Sequence, residues 1–458
     1  MSKAGFVRLI LPAIWVLSFA GCGGGGGAGS GAATFIPPAG SHSTSGGGAP
    51  PIQHVVIIFQ ENRTPDNLFH GLPGADVADS GVTSNGRTVA LVPVALSTSY
   101  DLDHSHNGSM FRGGGGFLAE YDKGAMDGFD REGCAGPCPS LPAYAYVRPS
   151  GVQPYFQMAE QYTFADRMFQ SNAGPSFPAH QYIISGTSSV DGGPLYAAEN
   201  VGYADLAASS NCAAGSGRTS VPVINIDTGI ESGSHAACFD HRTMFDVLDE
   251  KRLTYKYYAN YTGGFWNGPS AISHIRFGPD WSHISMPNTN VFSDIAHGEL
   301  PAVSWVTPSA AASDHPGVTD GSGPSWVASV VNAIGNSPYW NTTAIFVTWD
   351  DWGGWYDHVK PPQYNAYELG FRVPLIVISP YAKRGYVSHV QHEFGSILHF
   401  TEEQFGLTPL GYTDVRADDL SDCFDFSQPP ARFTEIRASR NAAYFMRLPP
   451  SNTPVDND

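Results

Sequence analysis

Residues 343–362, TAIFVTWDDWGGWYDHVKPP, decide the fold of this chain. The segment begins with the β-branched and aromatic run 344–347 (AIFV), a pattern that predicts a buried strand. Asp350 and Asp351 follow this run and lead into a Gly-Gly turn. In an open α/β sheet, ligands bind beyond the carboxyl ends of the strands. The segment therefore predicts a strand that delivers two carboxylates to a functional site.

A lone Asp-Asp pair before glycines would more often form an ordinary turn. Two further observations favour a site. Asp357 and His358 follow in the same segment, and carboxylates beside imidazole suit a hard or borderline divalent metal. A second predicted strand, residues 52–59 (IQHVVIIF), is also followed by polar residues, Glu61 and Asn62.

Strand and helix signals alternate along the chain, which predicts an α/β fold with a mostly parallel central sheet sandwiched by helices. Residues 51–435 form the predicted catalytic domain, and residues 436–458 form a C-terminal tail. Residues 190–300 are partly irregular and rich in Gly and Ser, so we interpret them as a cap or lid insertion. The other predicted elements are helices over residues 155–169, 243–253, 325–334 and 394–405 and strands over residues 182–184 and 373–380.

The chain begins with the pattern of an export signal. Basic residues precede a short apolar run, residues 9–19, which predicts a signal peptide over residues 1–21. Small residues before Cys22 predict lipid attachment at that cysteine, although the bulky Phe19 leaves ordinary secretion as the alternative. Residues 22–50 are rich in Gly and Ser and predict a flexible tether. We therefore expect an exported protein, in the periplasm or at the cell surface.

The composition argues against one class of function and indicates the redox environment of the protein. The chain has 24 Lys and Arg against 42 Asp and Glu, and this acidity argues against non-specific nucleic-acid binding. Six cysteines fit an oxidising compartment. We predict the disulfides Cys134–Cys138 and Cys212–Cys238 and a free Cys423, with metal binding by Cys134 and Cys138 as the alternative.

A third polar cluster, the segment NAGPSFP, follows a helical pattern and contains a serine. Three carboxylates and an amide oxygen match the oxygen ligands of a divalent metal, and a serine hydroxyl beside that metal becomes a nucleophile. Histidines nearby would bind the transferred anionic group or protonate its leaving oxygen. Taken singly, each residue also suits an ordinary role as a helix cap, turn residue or solvated side chain. The candidates are Ser176, Glu61, Asn62, Asp350, Asp351, His104, His274 and His315.

Four long motifs and one short one occur in order along the chain: QHVVIIFQENRTPDNLFHG (53–71), NAGPSFPAHQYIISGTS (172–188), SDHP (313–316), TWDDWGGWYDHVKPP (348–362) and GFRVPLIVISPYAKRGYVSH (370–389). Together they resemble the bacterial phosphoesterase family of phospholipases C and acid phosphatases, which belongs to the alkaline-phosphatase-like superfamily. The similarity extends over residues 52–433. It implies an alkaline-phosphatase-like fold and metal-dependent hydrolysis of phosphate esters.

The resemblance also implies roles for individual residues. One or more divalent metal ions would be held by carboxylate, amide and serine oxygens, namely those of Glu61, Asn62, Asp350, Asp351 and Ser176. Ser176 would also be the nucleophile and form a phosphoserine intermediate. His315 and His274 would be catalytic and contact the phosphoryl group or the leaving oxygen, and His104 would bind substrate.

The chain departs from the family pattern at three places. It has Ser176 where many phospholipases C carry Thr, Asp351 where they often carry Glu, and Ala179-His180 where relatives often carry Asn-Arg. These differences favour an acid phosphatase or general phosphomonoesterase acting on phosphate-ester small molecules. The first alternative is a phospholipase C acting on phosphocholine-type head groups. The second is a non-catalytic, surface-tethered binding lipoprotein, against which the retained ligand residues argue. We expect membrane contact only through the N-terminal lipid anchor.

Overall fold

A computed structural model describes residues 51–111, 114–199, 212, 220–260 and 267–449 of the 458-residue chain. The predictions for the signal peptide, Cys22 and the tether up to residue 50 lie outside the described residues. Residues 450–458 of the predicted tail lie outside them as well.

Eight of the described strands form the central sheet and are numbered here in chain order. They are β1 (His54–Gln60), β2 (Thr163–Ala165), β3 (Tyr255–Tyr258), β4 (Ile284–Ser285), β5 (Val303–Val306), β6 (Thr343–Trp349), β7 (Leu375–Ile378) and β8 (Tyr386–Ser388). Their order across the sheet is β4-β3-β5-β1-β6-β7-β2-β8. Only β7 is antiparallel to its neighbours. The predicted mostly parallel sheet is therefore confirmed.

The two central strands, β1 and β6, pair in parallel and in register over their whole length, from His54 opposite Thr343 to Gln60 opposite Trp349. β6 is buried throughout, and β1 is buried from its second residue onward. Such burial on both faces explains why both strands are almost continuous runs of apolar residues. Because both strands end at the same level, the residues that follow them meet at one edge of the sheet.

Helices cover both faces of the sheet. The longer ones are α1 (Gln153–Gln161), α2 (Ser176–Ser185), α3 (Met244–Glu250), α4 (Asn290–His297), α5 (Gly323–Gly335) and α6 (Phe394–Phe405). α5 packs against α1 and α4, whereas α2 packs against α3 and α6. On β6, Phe346 contacts Phe400 of α6 and Trp349 contacts Tyr155 of α1. Since these two β6 residues point to opposite faces of the strand, the two groups of helices lie on opposite sides.

Shorter elements complete the fold. The short α-helices are Pro65–Leu68, Gly116–Tyr121, Ser273–Phe277 and Ala442–Phe445. The 3₁₀ turns are Asp122–Gly124, Gly128–Arg131, Pro149–Gly151, Gly268–Ala271, Pro279–His283, Ala310–Ala312, Pro338–Thr342, Thr413–Val415 and Ser421–Cys423. The two-stranded pairs are Ser80–Val82 with Thr88–Ala90, Val92–Val94 with Ala145–Val147, Asp101–Leu102 with Cys134–Ala135, and Met168–Phe169 with His392–Glu393.

Two predicted elements are wrong. The helix predicted over residues 155–169 ends at Gln161, because Tyr162 has an extended backbone and the chain then enters the sheet as β2. The strand predicted over residues 182–184 lies inside α2. Every residue of α2 is buried, so the helix has no solvent-exposed face, and a short apolar run inside such a helix gives the same signal as a buried strand. The other predicted strands and helices are present.

The predicted insertion, residues 190–300, is only partly separate from the central domain. Tyr196–Ala198, Ser220–Asn225 and Ile230–Ala236 form a small antiparallel sheet of their own. β3 and β4 lie in the same interval but extend the central sheet, which corrects the assignment of the whole interval to a cap. β3 is buried at three of its four residues, as expected for a strand inside the main core.

Both predicted disulfides are present, Cys134–Cys138 and Cys212–Cys238, and Cys423 is buried with a free thiol. The described part of the predicted tail packs on the domain. Asn332 of α5 exchanges two 2.8 Å hydrogen bonds with the backbone of Ile436, and the Phe445 ring lies 5.3 Å from that of Trp326.

Candidate active site

Two acidic turns meet where β1 and β6 end. Because these strands end in register, Glu61 and Asp350 emerge side by side. The backbone N–H groups of Asn62 and Asp351 both donate to Asp350 Oδ1, at 3.0 and 2.8 Å. The four metal ligands predicted after these strands are therefore buried together at one edge of the sheet.

The turns fit together closely. Asn62 has a φ of +60°, a conformation that non-glycine residues rarely adopt. Gly353 has a φ of +62°, and a Cβ at this position would lie 2.5 Å from both the Cβ and the carbonyl oxygen of Asn62. The Gly353 N–H donates to Asp351 Oδ1 at 2.7 Å. The glycine is thus required both for the turn and for the approach of Asn62.

Ser176 is the first residue of α2, and its hydroxyl donates a 2.9 Å hydrogen bond to Asp351 Oδ2. The N–H groups at a helix start and the helix dipole favour an anionic group there. The third predicted cluster therefore joins the two acidic turns, and the serine lies where a phosphoryl group would be stabilised.

His180 lies one turn after Ser176 on α2 and was not among the predicted site residues. Its Nε2 is 3.4 Å from Glu61 Oε1 and 3.6 Å from Asp350 Oδ2. Burial by itself would raise the pKa of Asp350, but contacts that include the His180 imidazole lower it below its ordinary value. Residues i and i+4 share a helix face, so the spacing of Ser176 and His180 would have indicated this placement if α2 had been predicted as a helix.

The donor set fits a divalent metal. Asn62 Oδ1, Asp350 Oδ2 and both ring nitrogens of His180 are buried and have no hydrogen-bond partner among the described residues. Buried polar atoms normally have partners, and a bound cation would provide one for the two oxygens and for one of the ring nitrogens. One ligand atom each from Glu61, His180 and Asp350 lie within 4.8 Å of one another. Carboxylate and amide oxygens with one imidazole suit a borderline transition metal as well as a harder cation.

Two predicted histidines adjoin this cluster. His104 Nε2 lies 3.0 Å from Asn62 Nδ2 and 3.9 Å from Asp351 Oδ2. The rings of His104 and His315 are 6.2 Å apart. Nδ1 of His104 contacts the Leu102 carbonyl at 2.7 Å, and Nδ1 of His315 contacts the Pro316 carbonyl at 2.6 Å. A carbonyl can only accept a hydrogen bond, so each Nδ1 carries the proton.

Asp314 and Arg63 hold the His315 loop against the site. Arg63 is fully buried and donates to the Asp314 carbonyl from Nε at 3.1 Å and from a terminal nitrogen at 2.7 Å. Asp314 Oδ2 accepts hydrogen bonds from the Tyr155 hydroxyl at 2.7 Å and from Trp349 Nε1 at 3.2 Å. Burial raises the pKa of the Asp314 carboxyl to about 6, although Tyr155 and Arg63 oppose the shift.

His274 is placed differently from the prediction. Its ring nitrogens lie 2.7 Å from Asp240 and 3.3 Å from Asp246, and among the described residues none of its contacts reaches the Ser176 cluster. Its hydrogen bond with Asp246, helped by Asp240, raises the pKa of His274 to about 9. The structure thus gives His274 an ion-paired position at the edge of α3 instead of a place beside the serine.

A cavity of about 200 Å³ adjoins His315. Its wall includes Tyr100, Asp101 and Phe111, and also Ala135 beside the Cys134–Cys138 disulfide. Aromatic rings with one carboxylate suit a neutral or cationic group better than an anion.

A family model describes this chain. The model named Phosphoesterase family matches residues 52–408, which is more than half of the sequence and includes every residue of the cluster. The chain belongs to the Phosphoesterase family. Membership agrees with the resemblance seen in the motifs, and the prediction of an enzyme that hydrolyses phosphoric esters is confirmed at the level of this family.

Several phospholipases C are similar to this member of the Phosphoesterase family. The non-hemolytic phospholipase C of Burkholderia pseudomallei is 24% identical over 436 residues, covering 84% of this chain and 60% of the relative. Phospholipase C B of Mycobacterium tuberculosis is 24% identical over 456 residues, covering 83% and 78%. Among solved structures, a protein in the alkaline phosphatase superfamily from Vibrio parahaemolyticus has 11% identity and a TM-score of 0.38, covering 85% of this chain and 72% of that one. The chain thus spans 60% of the Burkholderia relative's length.

Among the described residues, no helix combines the length and the apolar composition needed to cross a membrane.

Proposed function

We propose that this protein is an exported, metal-dependent phosphomonoesterase that hydrolyses phosphate esters through a phosphoserine at Ser176. One observation carries the proposal. The Ser176 hydroxyl lies at a helix start, 2.9 Å from Asp351, in a cluster where Asn62 Oδ1 and Asp350 Oδ2 are buried and receive no hydrogen bond from the described part of the chain. A nucleophile and a set of cation ligands are thereby combined in one buried site.

The residues that would hold the metal are Glu61, Asn62, Asp350, Asp351 and Ser176, together with His180. A divalent ion bound there supplies Lewis-acid stabilisation of phosphoryl oxygens and lowers the pKa of a bound hydroxyl. His180 adds an imidazole to a set that is otherwise made of oxygens, and imidazole favours transition metals such as Zn²⁺ over Ca²⁺.

The contacts support a proposed step for each remaining group. Ser176 Oγ attacks phosphorus and its proton passes to Asp351, which already accepts its hydrogen bond. The bond from phosphorus to the ester oxygen breaks, and His315 or His104, when protonated, donates the proton that the leaving oxygen needs. Water then attacks phosphorus and gives a proton to the histidine that lost one, the bond from phosphorus to Ser176 Oγ breaks, and Asp351 returns its proton to Oγ as phosphate leaves. Donors at the start of α2 stabilise charge on the phosphoryl oxygens in both steps.

A second candidate is a phospholipase C acting on phosphocholine-type head groups. Its support is the set of relatives that carry the name phospholipase C, and the cavity beside His315. Tyr100 and Phe111 could present aromatic faces to a quaternary ammonium, and Asp101 could offset its charge.

Export is part of the proposal. It is supported by the signal-like residues 1–21 and by the two disulfides, which form in oxidising compartments. Attachment of lipid at Cys22 would place the enzyme at a membrane surface, and mass spectrometry of the mature N-terminus tests this.

The test compares hydrolysis of p-nitrophenyl phosphate and p-nitrophenyl phosphorylcholine by the purified mature protein, with and without chelator. Chelator-sensitive turnover of the monoester supports the phosphomonoesterase, and preference for the choline ester supports the phospholipase C. Absence of turnover of both esters in metal-replete protein would contradict the proposed catalysis and favour a binding lipoprotein. A burst of acid-stable phosphate on Ser176 would identify the intermediate directly.

A further inference from the structure

We propose that His392, Asp422 and Cys423 form a second metal site, which binds a zinc-like divalent cation and stabilises the far edge of the sheet. The site does not depend on the proposed catalytic function. It lies next to β8, which is three strands away from β6, or roughly 14 Å at the usual spacing of strands.

The three side chains already have the spacing of ligands around one ion. His392 Nε2 is 3.6 Å from Asp422 Oδ1, and Cys423 Sγ is 3.5 Å from the same oxygen. A tetrahedral zinc ion with ordinary bond lengths would set these edges at about 3.4 and about 3.6 Å. All three ligand atoms lie within 4.8 Å of one another, so the remaining edge closes with a small side-chain movement.

The histidine is oriented for coordination. Asp418 Oδ1 lies 2.5 Å from His392 Nδ1, so this nitrogen carries the proton and Nε2 is the coordinating atom. A carboxylate that fixes one ring nitrogen while the other binds metal is a recurrent arrangement in zinc proteins. Nε2 faces the Ser388 hydroxyl at 3.1 Å, and this hydroxyl or a water molecule can occupy the fourth corner.

Burial and charge also suit a cation. His392 and Cys423 are buried, and Asp422 is only partly exposed. Metal binding forms the metal–sulfur bond and releases one proton from Sγ to solvent. The resulting thiolate and the Asp422 carboxylate then balance the two charges of the ion.

Another interpretation of the same atoms is less well supported. Ser388, His392 and Asp418 have the hydrogen-bond order of a Ser-His-Asp triad. However, the Ser388 hydroxyl donates to Asp422 and its residue is fully buried, so an ester substrate could not reach it.

The three ligands come from two separate segments, and Ser388, which can supply the fourth ligand, lies in a third. Ser388 ends the edge strand β8, His392 precedes α6, and Cys423 lies in the turn Ser421–Cys423. An ion bound to His392, Asp422 and Cys423, with Ser388 as its fourth ligand, would hold an edge strand that pairs with one neighbour among the described strands.

Cobalt spectroscopy tests the site in the full mature protein. A thiolate bound to Co²⁺ gives a sulfur-to-metal charge-transfer band in the near ultraviolet, which the oxygen and nitrogen ligands around Ser176 cannot produce. We expect the band in the wild type and in Asp350→Asn. The variant Cys423→Ala should lack the band and bind one Co²⁺ ion fewer per chain. Turnover of p-nitrophenyl phosphate by Cys423→Ala reports that this variant has folded.

Absence of the band from the cobalt-loaded wild type would overturn the proposal, as would its persistence in Cys423→Ala. If Cys423→Ala fails to fold, the presence or absence of the band in the cobalt-loaded wild type still tests the site. A mercurial reagent that titrates the buried thiol should release one zinc ion per chain, and titration of the thiol without zinc release would also overturn the site.

Discussion

Replacing Asp314 by Asn should abolish a pH dependence of stability that the structure assigns to this carboxyl. Asp314 Oδ2 accepts hydrogen bonds from Tyr155 and Trp349, and an amide oxygen can accept both. Oδ1 has no hydrogen-bond partner among the described residues, so the amide NH₂ of Asn would be buried without an acceptor there. This defect costs about 1–3 kcal/mol at every pH.

The contribution of Asp314 to the free energy of unfolding changes with pH in a definite direction. The folded-state pKa of Asp314 is about 6 against an ordinary value of 3.8, so the folded protein binds this proton more tightly than the unfolded chain. The stabilisation is therefore fully present below about pH 4 and is lost as the pH rises through about 6. The difference between the two pKa values corresponds to a contribution of about 3 kcal/mol to the free energy of unfolding, most of which is lost between pH 4 and pH 7.

The assay is urea unfolding followed by tryptophan fluorescence at several pH values, in chelator so that metal binding does not contribute. The wild type should lose about 2–3 kcal/mol of its free energy of unfolding relative to Asp314→Asn as the pH rises from 4 to 7. The exposed Asp227→Asn serves as the matched control and should follow the wild type. Parallel pH curves for Asp314→Asn and the wild type would refute the reasoning.

Three further predictions concern the candidate active site. Ser176→Ala should lower turnover by roughly 10⁴- to 10⁶-fold while bound metal, measured by mass spectrometry, is largely retained; turnover like that of the wild type would exclude the nucleophile. His315→Ala should lower kcat by roughly 10²- to 10⁴-fold, whereas His274→Ala, which removes a residue held by Asp240 and Asp246, should change it only a few-fold; equal losses would restore His274 to the active site. Gly353→Ala should displace Asn62 and cost at least about 1–2 kcal/mol in backbone strain, seen as weaker metal binding in calorimetry; unchanged affinity would show that the turn can adapt.

From the sequence, the identities of the residues around the candidate site were easier to predict than their arrangement in space. Glu61 and Asn62, like Asp350 and Asp351, directly follow strands whose burial on both faces leaves a clear apolar signal. His180 was missed because α2 is buried on all sides, so its apolar residues 182–184 were predicted as a strand and the shared helix face of Ser176 and His180 was not recognised. His274 was predicted as a site residue from its motif, but its contacts with Asp240 and Asp246 depend on the packing of α3 and cannot be read from spacing.

By itself, the sequence determined the α/β class, most of the elements and the polar residues at the strand ends, because local periodicity and composition carry this information. Only the tertiary structure decided which of those residues meet. The in-register pairing of β1 with β6 places Glu61 beside Asp350, and the packing of α2 brings His180 to both. It likewise brings Cys423 near His392 through segments that are far apart in the chain. Such contacts depend on strand register and helix packing, which involve residues distant in sequence and leave no local pattern.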